Sequence, residues 1–220
     1  MHWQAVLFDL DGTLVETAPE IADAVNDTLR HFGLSEVTQA QVDTWIGQGT
    51  RELLILALAH LNDLSTEQVR ESAQLREALP AFDTHYQARC GTRSQLYPHV
   101  RETLTALRAR GCRLGVVTNK EGRYTDTVLR AHYLQDHFDS VISGDTYPTK
   151  KPHPASVLDI LAQWQIKPEQ ALFVGDSSID AATARNAGLT VWLLPYGYNM
   201  GQPVQACQPD RVIADFSQLV

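Results

Sequence analysis

The chain has 220 residues, 44% of them hydrophobic, which suits one α/β domain with an insertion and a sizeable core. Its net charge of -8 disfavours nonspecific attraction to nucleic acid or anionic lipid, so we expect neither as a partner. Cys90, Cys112 and Cys207 form no CxxC pair, which argues against a disulfide framework and a structural zinc site. No apolar run approaches the roughly 18 residues of a membrane span, and no signal sequence is apparent. We therefore expect a cytoplasmic protein, either a monomer or a homodimer.

The first predicted element is a buried strand over Ala5 to Phe8, because this run is continuously apolar. Asp9 and Asp11 follow it directly, and Gly12 allows a sharp turn. Open α/β sheets bind ligands at the carboxyl ends of their strands. An ordinary Asp-Gly turn would account for Asp11 but not for Asp9. The pattern therefore indicates a functional site at this strand tip.

Residues 16–92 contain no convincing strand, and we interpret them as an inserted helical cap. The first helix opens with Thr17 to Glu20, which has the pattern of a capping box with proline in the first turn, and it ends at Gly33. Further helices are predicted over residues 38–46, 50–61 and 65–89, with a break at 47–49. Such a cap would be able to close over the strand tips and exclude water.

Beyond residue 92 short apolar runs alternate with helical patterns. The predicted strands cover residues 114–117, 141–142, 172–174, 191–194 and 212–213, and the predicted helices cover 102–110, 123–133, 154–164 and 177–187. Strands that alternate with helices predict a parallel sheet. The expected fold class is therefore α/β, a doubly wound, Rossmann-like core made of residues 1–15 and 93–220.

A second acidic pair, Asp176 and Asp180, follows the predicted strand over 172–174. Taken alone, Asp180 would be explained as a helix-start residue beside a capping Ser177. Four carboxylates on neighbouring strand tips, however, require cations, and oxygen ligands with open geometry suit Mg²⁺. The sequence thus predicts a divalent metal, Mg²⁺.

Two further strand ends supply neutral and positive groups. Thr118 and Asn119 offer a hydroxyl and successive N–H groups, which commonly form an anion-binding pocket. Both residues are also common as helix caps. Lys151 precedes Pro152, which holds it in extended geometry. A solvated surface lysine is the alternative interpretation, and it fits Lys150 better.

Together these sites resemble the four-motif pattern of the haloacid dehalogenase superfamily. The segment Asp9-Leu10-Asp11-Gly12-Thr13 resembles the first motif, and Thr118 resembles the second. Lys151 resembles the third motif, and Gly175-Asp176 with Asp180 resembles the fourth. Residues 16–92 resemble the superfamily's cap. The segments around residues 117–120, 151–154 and 196–199 are most similar to bacterial phosphoglycolate phosphatases. His99 stands where many relatives carry glycine, so the hinge between cap and core is expected to be stiffer or differently set.

The resemblance implies an Mg²⁺-dependent phosphomonoester hydrolase that acts on a small phosphorylated metabolite, with 2-phosphoglycolate as the expected substrate. Asp9 would attack phosphorus to form an aspartyl-phosphate, and Asp11 would protonate the departing oxygen and later activate water. Mg²⁺ would be held by a side-chain oxygen of Asp9, the main-chain carbonyl of Asp11 and Asp176.

The remaining site residues have supporting roles in this scheme. Thr118 and Asn119 would hold the phosphoryl oxygens through N–H groups, and Lys151 would neutralise their charge. Asp180 would orient metal-bound water or Lys151 rather than bind the metal directly.

Substrate choice is expected to come from the cap. Arg51 follows the 47–50 segment, which resembles the cap loop that relatives point into the site, and its guanidinium suits a phosphate or carboxylate of the substrate. A solvated arginine is an equal alternative. Lys120 and Arg123 are further cations near a strand tip, yet either could face solvent.

Other functions stay open from the sequence. A phosphomutase similar to β-phosphoglucomutase shares the core and cap, and a noncatalytic Mg²⁺ and phosphate sensor is conceivable. Asp11 argues against a dehalogenase. A halide ion leaves without being protonated, so that reaction has no use for an acid that protonates a leaving oxygen.

Overall fold

The computed structural model describes residues 3–220 and contains one six-stranded sheet in the order β5-β4-β1-β6-β7-β8, with every neighbouring pair parallel. These strands are β1 (Ala5–Phe8), β4 (Arg113–Val117), β5 (Ser140–Ile142), β6 (Ala171–Gly175), β7 (Thr190–Leu193) and β8 (Arg211–Val212). The chain builds outward from β1 first on one side, through β4 and β5, and then on the other, from β6 to β8. The predicted doubly wound α/β class is confirmed.

The central strand is buried on both faces because its side chains alternate between two apolar clusters. Val6 and Phe8 pack into the cluster on one face, whereas Ala5 and Leu7 pack into the cluster on the other. All four side chains are fully buried. This explains the continuous apolar run that predicted β1.

Helices cover the sheet and form a separate group between two short strands, β2 (Val15–Glu16) and β3 (Gln95–Leu96), which pair antiparallel. The group consists of α1 (Ala18–His31), α2 (Gln39–Asp43), α3 (Thr50–Asn62), α4 (Thr66–Arg70) and α5 (Ala73–Arg89). The helices of the sheet are α6 (Val100–Ala109), α7 (Gly122–Ala131), α8 (Ala155–Trp164) and α9 (Ser178–Ala187). The sequence did not reveal β2 and β3, because two residues are too few for an alternating pattern.

Helix α1 begins and ends where expected, but the predicted capping box is wrong. The Thr17 side chain makes no capping bond and instead donates a hydrogen bond to Asp11 Oδ1 at 2.7 Å. Glu20 is fully buried and accepts from the backbone N–H groups of Arg93 and Ser94, at 3.2 and 3.0 Å. Both side chains therefore connect the start of α1 to the rest of the molecule rather than to the helix itself.

Two other predicted helices differ from the observed ones. The helix expected over 65–89 is two helices, α4 and α5, because Ser72 accepts a hydrogen bond from the N–H of Leu75 and starts a new helix. The helix expected over 38–46 ends at Asp43. Among residues 3–220 no helix combines the length and apolarity that crossing a membrane requires.

His99, which precedes α6 in the chain that returns from β3, adopts a left-handed backbone conformation with φ of 65°. This region favours glycine, since a side chain there meets the neighbouring backbone. A glycine would adopt this conformation without that strain.

Candidate active site

The carboxyl ends of three neighbouring strands meet at one edge of the sheet. Phe8 of β1 lies opposite Val116 of β4 on one side and Val174 of β6 on the other. The polar residues that follow these strands, among them Asp9, Thr118 and Asp176, are therefore neighbours, and all three are buried. The structure brings together the strand tips that the sequence singled out.

Lys151 reaches this edge from the loop between β5 and α8. Its Nζ lies 2.8 Å from Asp9 Oδ1 and 2.7 Å from Asp180 Oδ1, and its side chain is 3% exposed. Burial alone would lower the pKa of Lys151, but the attraction of Asp180 and Asp9 outweighs it and raises the pKa. Lys151 is thus a buried cation held between two carboxylates, not a solvated surface lysine.

Asn119 fixes the backbone of Lys151 with its side chain. Its Oδ1 accepts from the N–H of Lys151 at 3.0 Å, and its Nδ2 donates to the carbonyl of Lys151 at 3.2 Å. The same Nδ2 also donates to the carbonyl of Gly47 in the loop before α3, at 3.1 Å. This side-chain role leaves no local signal in the sequence, because it depends on residues 32 and 72 positions away.

Asp180, in the first turn of α9, combines the two roles considered for it. Oδ1 accepts from Lys151, while Oδ2 accepts from the N–H groups of Asp176 and Ser177, both at 3.1 Å, and from Ser177 Oγ at 2.7 Å. Four donors occupy the acceptor sites of one carboxylate. Gly175 permits this approach, because a Cβ there would lie 2.4 Å from the Asp180 side chain.

Asp176 accepts two hydrogen bonds and keeps further acceptor sites on its carboxylate. Thr13 Oγ1 donates to its Oδ1 at 2.6 Å, and the N–H of Tyr198 donates to its Oδ2. Two glycines allow the backbone to come this close, since a Cβ at Gly12 or Gly197 would lie 2.5 or 2.2 Å from Oδ2. Gly12 also has φ of 83°, which favours glycine.

The carboxylates of Asp9, Asp176 and Asp180 form one acidic cluster, in which one oxygen from each residue lies within 4.8 Å of the other two. Burial, together with the nearby Asp180 and Asp11, raises the pKa of Asp9 to about 7 against the opposing effect of Lys151. Burial and the charges of Asp180 and Asp9 raise the pKa of Asp176. Crowded, buried carboxylate oxygens are what a hard divalent cation such as Mg²⁺ binds. Asp9 and Asp176 keep acceptor sites and therefore fit Mg²⁺, whereas the oxygens of Asp180 are occupied by their four donors.

Asp11 faces a different cation, Lys120. Lys120 Nζ donates to the two carboxylate oxygens of Asp11 at 3.0 and 3.1 Å and to the Tyr86 hydroxyl at 2.6 Å. Although burial opposes it, Asp11 raises the pKa of Lys120. The sequence alone left open whether Lys120 faces solvent. The position of Lys120 two residues after Thr118, at a strand end, was the available sign that it belongs to the site.

Thr118 contributes its hydroxyl rather than its N–H. The N–H donates to the carbonyl of Ile142 in the sheet at 2.9 Å, so the expectation that it holds a phosphoryl oxygen is wrong. The hydroxyl oxygen accepts from the N–H of Lys120 at 3.2 Å and keeps its own hydrogen to donate.

A cavity of about 40 Å³ lies between the strand tips and the helices α1, α3 and α5, room for a few water-sized groups. Its walls are Asp9, Asp11, Thr118, Asn119, Lys120 and Glu121 from the sheet side, and Ile21, Ile46, Gly47, Gly49, Thr50, Leu53, Phe82 and Tyr86 from the helical side. Thr50 also donates a hydrogen bond to Glu121 across this boundary. The helices and the sheet therefore line the cavity together.

Arg51 is not among the residues that line this cavity. Its side chain is 50% exposed, and a guanidinium nitrogen lies 3.9 Å from Glu52 Oε1. Thr50 and Leu53, on the same helix, do face the cavity. Successive residues of a helix point in different directions, so these neighbours place Arg51 off the cavity face. The structure does not bring Arg51 to the other predicted site residues.

Residues 6–194 match the family described as Haloacid dehalogenase-like hydrolase, and the chain belongs to that family. The resemblance inferred from the four motifs is confirmed.

More specific relatives share one name. Phosphoglycolate phosphatase from Nitrosospira multiformis is 42% identical over 210 residues, which cover 96% of this chain and 91% of the relative. Phosphoglycolate phosphatase from Vibrio vulnificus strain YJ016 is 40% identical, with 98% and 93% covered. The crystal structure of a predicted phosphoglycolate phosphatase from Haemophilus somnus 129pt is 34% identical, with a TM-score of 0.92 and 100% and 97% covered.

Proposed function

We propose that the protein is an Mg²⁺-dependent phosphomonoester hydrolase that acts on 2-phosphoglycolate through an aspartyl-phosphate at Asp9. The observation that carries the proposal is a buried carboxylate, Asp9, which contacts Lys151, belongs to an acidic cluster and faces a small cavity that Asp11 also lines. The names of the relatives support the substrate.

In the first step a side-chain oxygen of Asp9 attacks phosphorus, and the bond from phosphorus to the ester oxygen breaks. Like charges oppose this approach by about 4 kcal/mol per unit pair near 4 Å, for an effective dielectric constant of about 20. Lys151, at 2.8 Å from Asp9, counters part of this repulsion. The Thr118 hydroxyl, at the neighbouring strand tip, would donate to a phosphoryl oxygen in this proposal.

Asp11 serves both half-reactions in this proposal. It protonates the departing ester oxygen and then takes a proton from the water that attacks the aspartyl-phosphate. Hydrogen bonds from Thr17 and Lys120 fix its carboxylate at the cavity wall. Release of inorganic phosphate regenerates Asp9 as a free carboxylate.

Asp9, the main-chain carbonyl of Asp11 and Asp176 would hold Mg²⁺. When bound, Mg²⁺ supplies two positive charges against the phosphoryl oxygens. Asp180 has four donors already, so we assign it to holding Lys151 rather than to binding the metal. Asn119 has a positioning role, because its side chain fixes the backbone of Lys151.

Residues 16–92 act as the cap in this proposal, and they restrict the leaving group. The names of the relatives favour a small acidic alcohol over a sugar as this leaving group. This supports a small-acid substrate over the phosphomutase alternative. Because the Arg51 side chain lies off the cavity, the proposal does not assign it to the substrate in the observed arrangement.

The test is phosphate release from a panel of phosphorylated metabolites, with Mg²⁺ and with chelator. We expect the highest kcat/KM for 2-phosphoglycolate, with no activity in chelator. Asp9→Asn, which preserves size but removes the attacking charge, should lose turnover while remaining folded, because relief of the repulsion from Asp180 and Asp11 offsets part of the lost contact with Lys151. Turnover by this variant, or a preference for a sugar phosphate that requires a bisphosphate activator, would contradict the proposal.

A further inference from the structure

One buried cation at the cavity has only a holding role in the steps above. Lys120 is 5% exposed and, within residues 3–220, is the only lysine or arginine among the side chains that line the cavity. Its Nζ contacts Asp11 of the core and the hydroxyl of Tyr86 on α5. The three hydrogens of this ammonium point to the two Asp11 oxygens and to Tyr86, so an anionic group of the substrate that binds Lys120 takes the place of one of these contacts.

We propose that Lys120 recognises the carboxylate of the leaving group, an inference that rests on the proposed function. In 2-phosphoglycolate a single methylene separates the ester oxygen from the carboxylate carbon. Asp11 would meet the ester oxygen, and Lys120 Nζ lies 3.0 Å from Asp11. The carboxylate of a substrate that reaches Asp11 therefore falls within reach of Lys120.

The two buried lysines divide the substrate between them. Lys151 contacts Asp9 and Asp180, so it faces the end of the site where the phosphoryl group is transferred. Lys120 contacts Asp11 and therefore faces the departing alcohol. A phosphate at one end and a carboxylate at the other match two cations with separate carboxylate partners.

Among the described residues, the rest of the wall contains no second cationic side chain for a further anion. Much of the helical side is apolar, with Ile21, Ile46, Leu53 and Phe82, and the sheet side contributes the acids Asp9, Asp11 and Glu121. A carboxylate that enters such a cavity loses its water and requires a cationic or N–H partner. Lys120 supplies the charge, and the Tyr86 hydroxyl, 2.6 Å from Nζ, adds a second polar group for the same carboxylate.

The experiment compares two substrates that differ by this carboxylate. Ethyl phosphate has a two-carbon leaving group without the acid, so the ratio of kcat/KM for 2-phosphoglycolate to that for ethyl phosphate measures carboxylate recognition. Lys120→Met also disturbs Asp11, but that effect applies to both substrates and cancels in the ratio. We expect the ratio to fall by about 100-fold or more, as when one partner of a buried charge pair is truncated.

Further variants separate recognition from structure. Arg123→Met removes a 52% exposed cation that pairs with Asp83, and it should leave the ratio unchanged. Tyr86→Phe should lower the ratio, but less than Lys120→Met. Lys120→Gln, which keeps a polar group but no charge, should reproduce the fall and serves if the methionine variant does not fold, as judged by its melting temperature.

The outcomes distinguish the inference from the function on which it rests. A wild type with no preference for 2-phosphoglycolate over ethyl phosphate contradicts the proposed function, and the inference with it. A wild-type preference that survives in folded Lys120→Met and Lys120→Gln overturns the inference alone. A preference that disappears in Arg51→Met but not in Lys120→Met would also overturn it and assign the carboxylate to Arg51.

Discussion

The interaction of Asp180 with Lys151 allows a sharp prediction about stability. Asp180→Asn keeps the shape of the side chain but removes its charge, and its amide group must then face a donor. The new Nδ2 group faces one of two sets of donors. On one side is the Lys151 ammonium, and on the other are the N–H groups of Asp176 and Ser177, which donate to Oδ2 in the wild type. Either orientation leaves a buried donor unpaired.

The expected loss can be worked from these contacts. Breaking a buried ion pair by removing one partner destabilises a protein by about 3–5 kcal/mol. Lys151 keeps Asp9 at 2.8 Å, so we expect the lower end, about 3 kcal/mol. In a chain of this size, a loss of about 3 kcal/mol lowers the melting temperature by roughly 6–12 °C. Activity should also fall, because Lys151 loses one of the two carboxylates that fix its position.

Thermal and urea unfolding, followed by circular dichroism in the presence of chelator, measure the change. Asp126→Asn is the matched control, since Asp126 is exposed on α7 and its substitution should change stability by less than about 0.5 kcal/mol. A loss below about 1 kcal/mol in Asp180→Asn would refute the reasoning, because it would mean that the buried network tolerates an unpaired donor.

Three further predictions concern the acid, the metal and the hinge. Asp11→Asn should slow alkyl phosphates much more than activated aryl phosphates, and equal losses in kcat/KM would argue against its acid role. Mg²⁺ at about 100 times its dissociation constant should stabilise the protein by about 2.7 kcal/mol, which raises the melting temperature by roughly 5–11 °C. Asp176→Asn should abolish this shift, and an undiminished shift in that variant would exclude Asp176 as a ligand. At His99, with φ of 65°, glycine should keep or raise stability, whereas valine should lower it by about 1–2 kcal/mol, and equal urea midpoints would contradict this.

The fold and part of the site could be predicted from the sequence because both depend on local patterns. The apolar run from Ala5 to Phe8 is long enough to identify a buried strand, and the acids Asp9 and Asp176 follow their strands directly. In a parallel sheet the carboxyl ends share one edge, so the proximity of these residues followed from topology. Lys151 was identified because the following proline restricts its backbone.

The contacts that the sequence did not reveal connect distant parts of the chain. Thr17 looked like a helix cap, yet its hydroxyl bonds Asp11, because α1 starts against the first strand tip. Lys120 looked no more buried than Arg123, and only the packing of Tyr86 from α5 distinguishes them. Arg51 was chosen for its charge and for the loop before it, but the rotation of α3 places Thr50 and Leu53 at the cavity instead. Such choices depend on tertiary packing, which local patterns do not encode.

The central claim is that Asp9 becomes phosphorylated during turnover. It is tested most directly by mixing the protein with Mg²⁺ and excess 2-phosphoglycolate, quenching in acid within one turnover, and reducing acyl phosphates with borohydride before peptide mass spectrometry. We predict that the peptide containing Asp9 carries homoserine at that position, and that Asp9→Asn shows no modified residue. Phosphate release without modification of Asp9 at any quench time, or a modification at another carboxylate, would contradict the account.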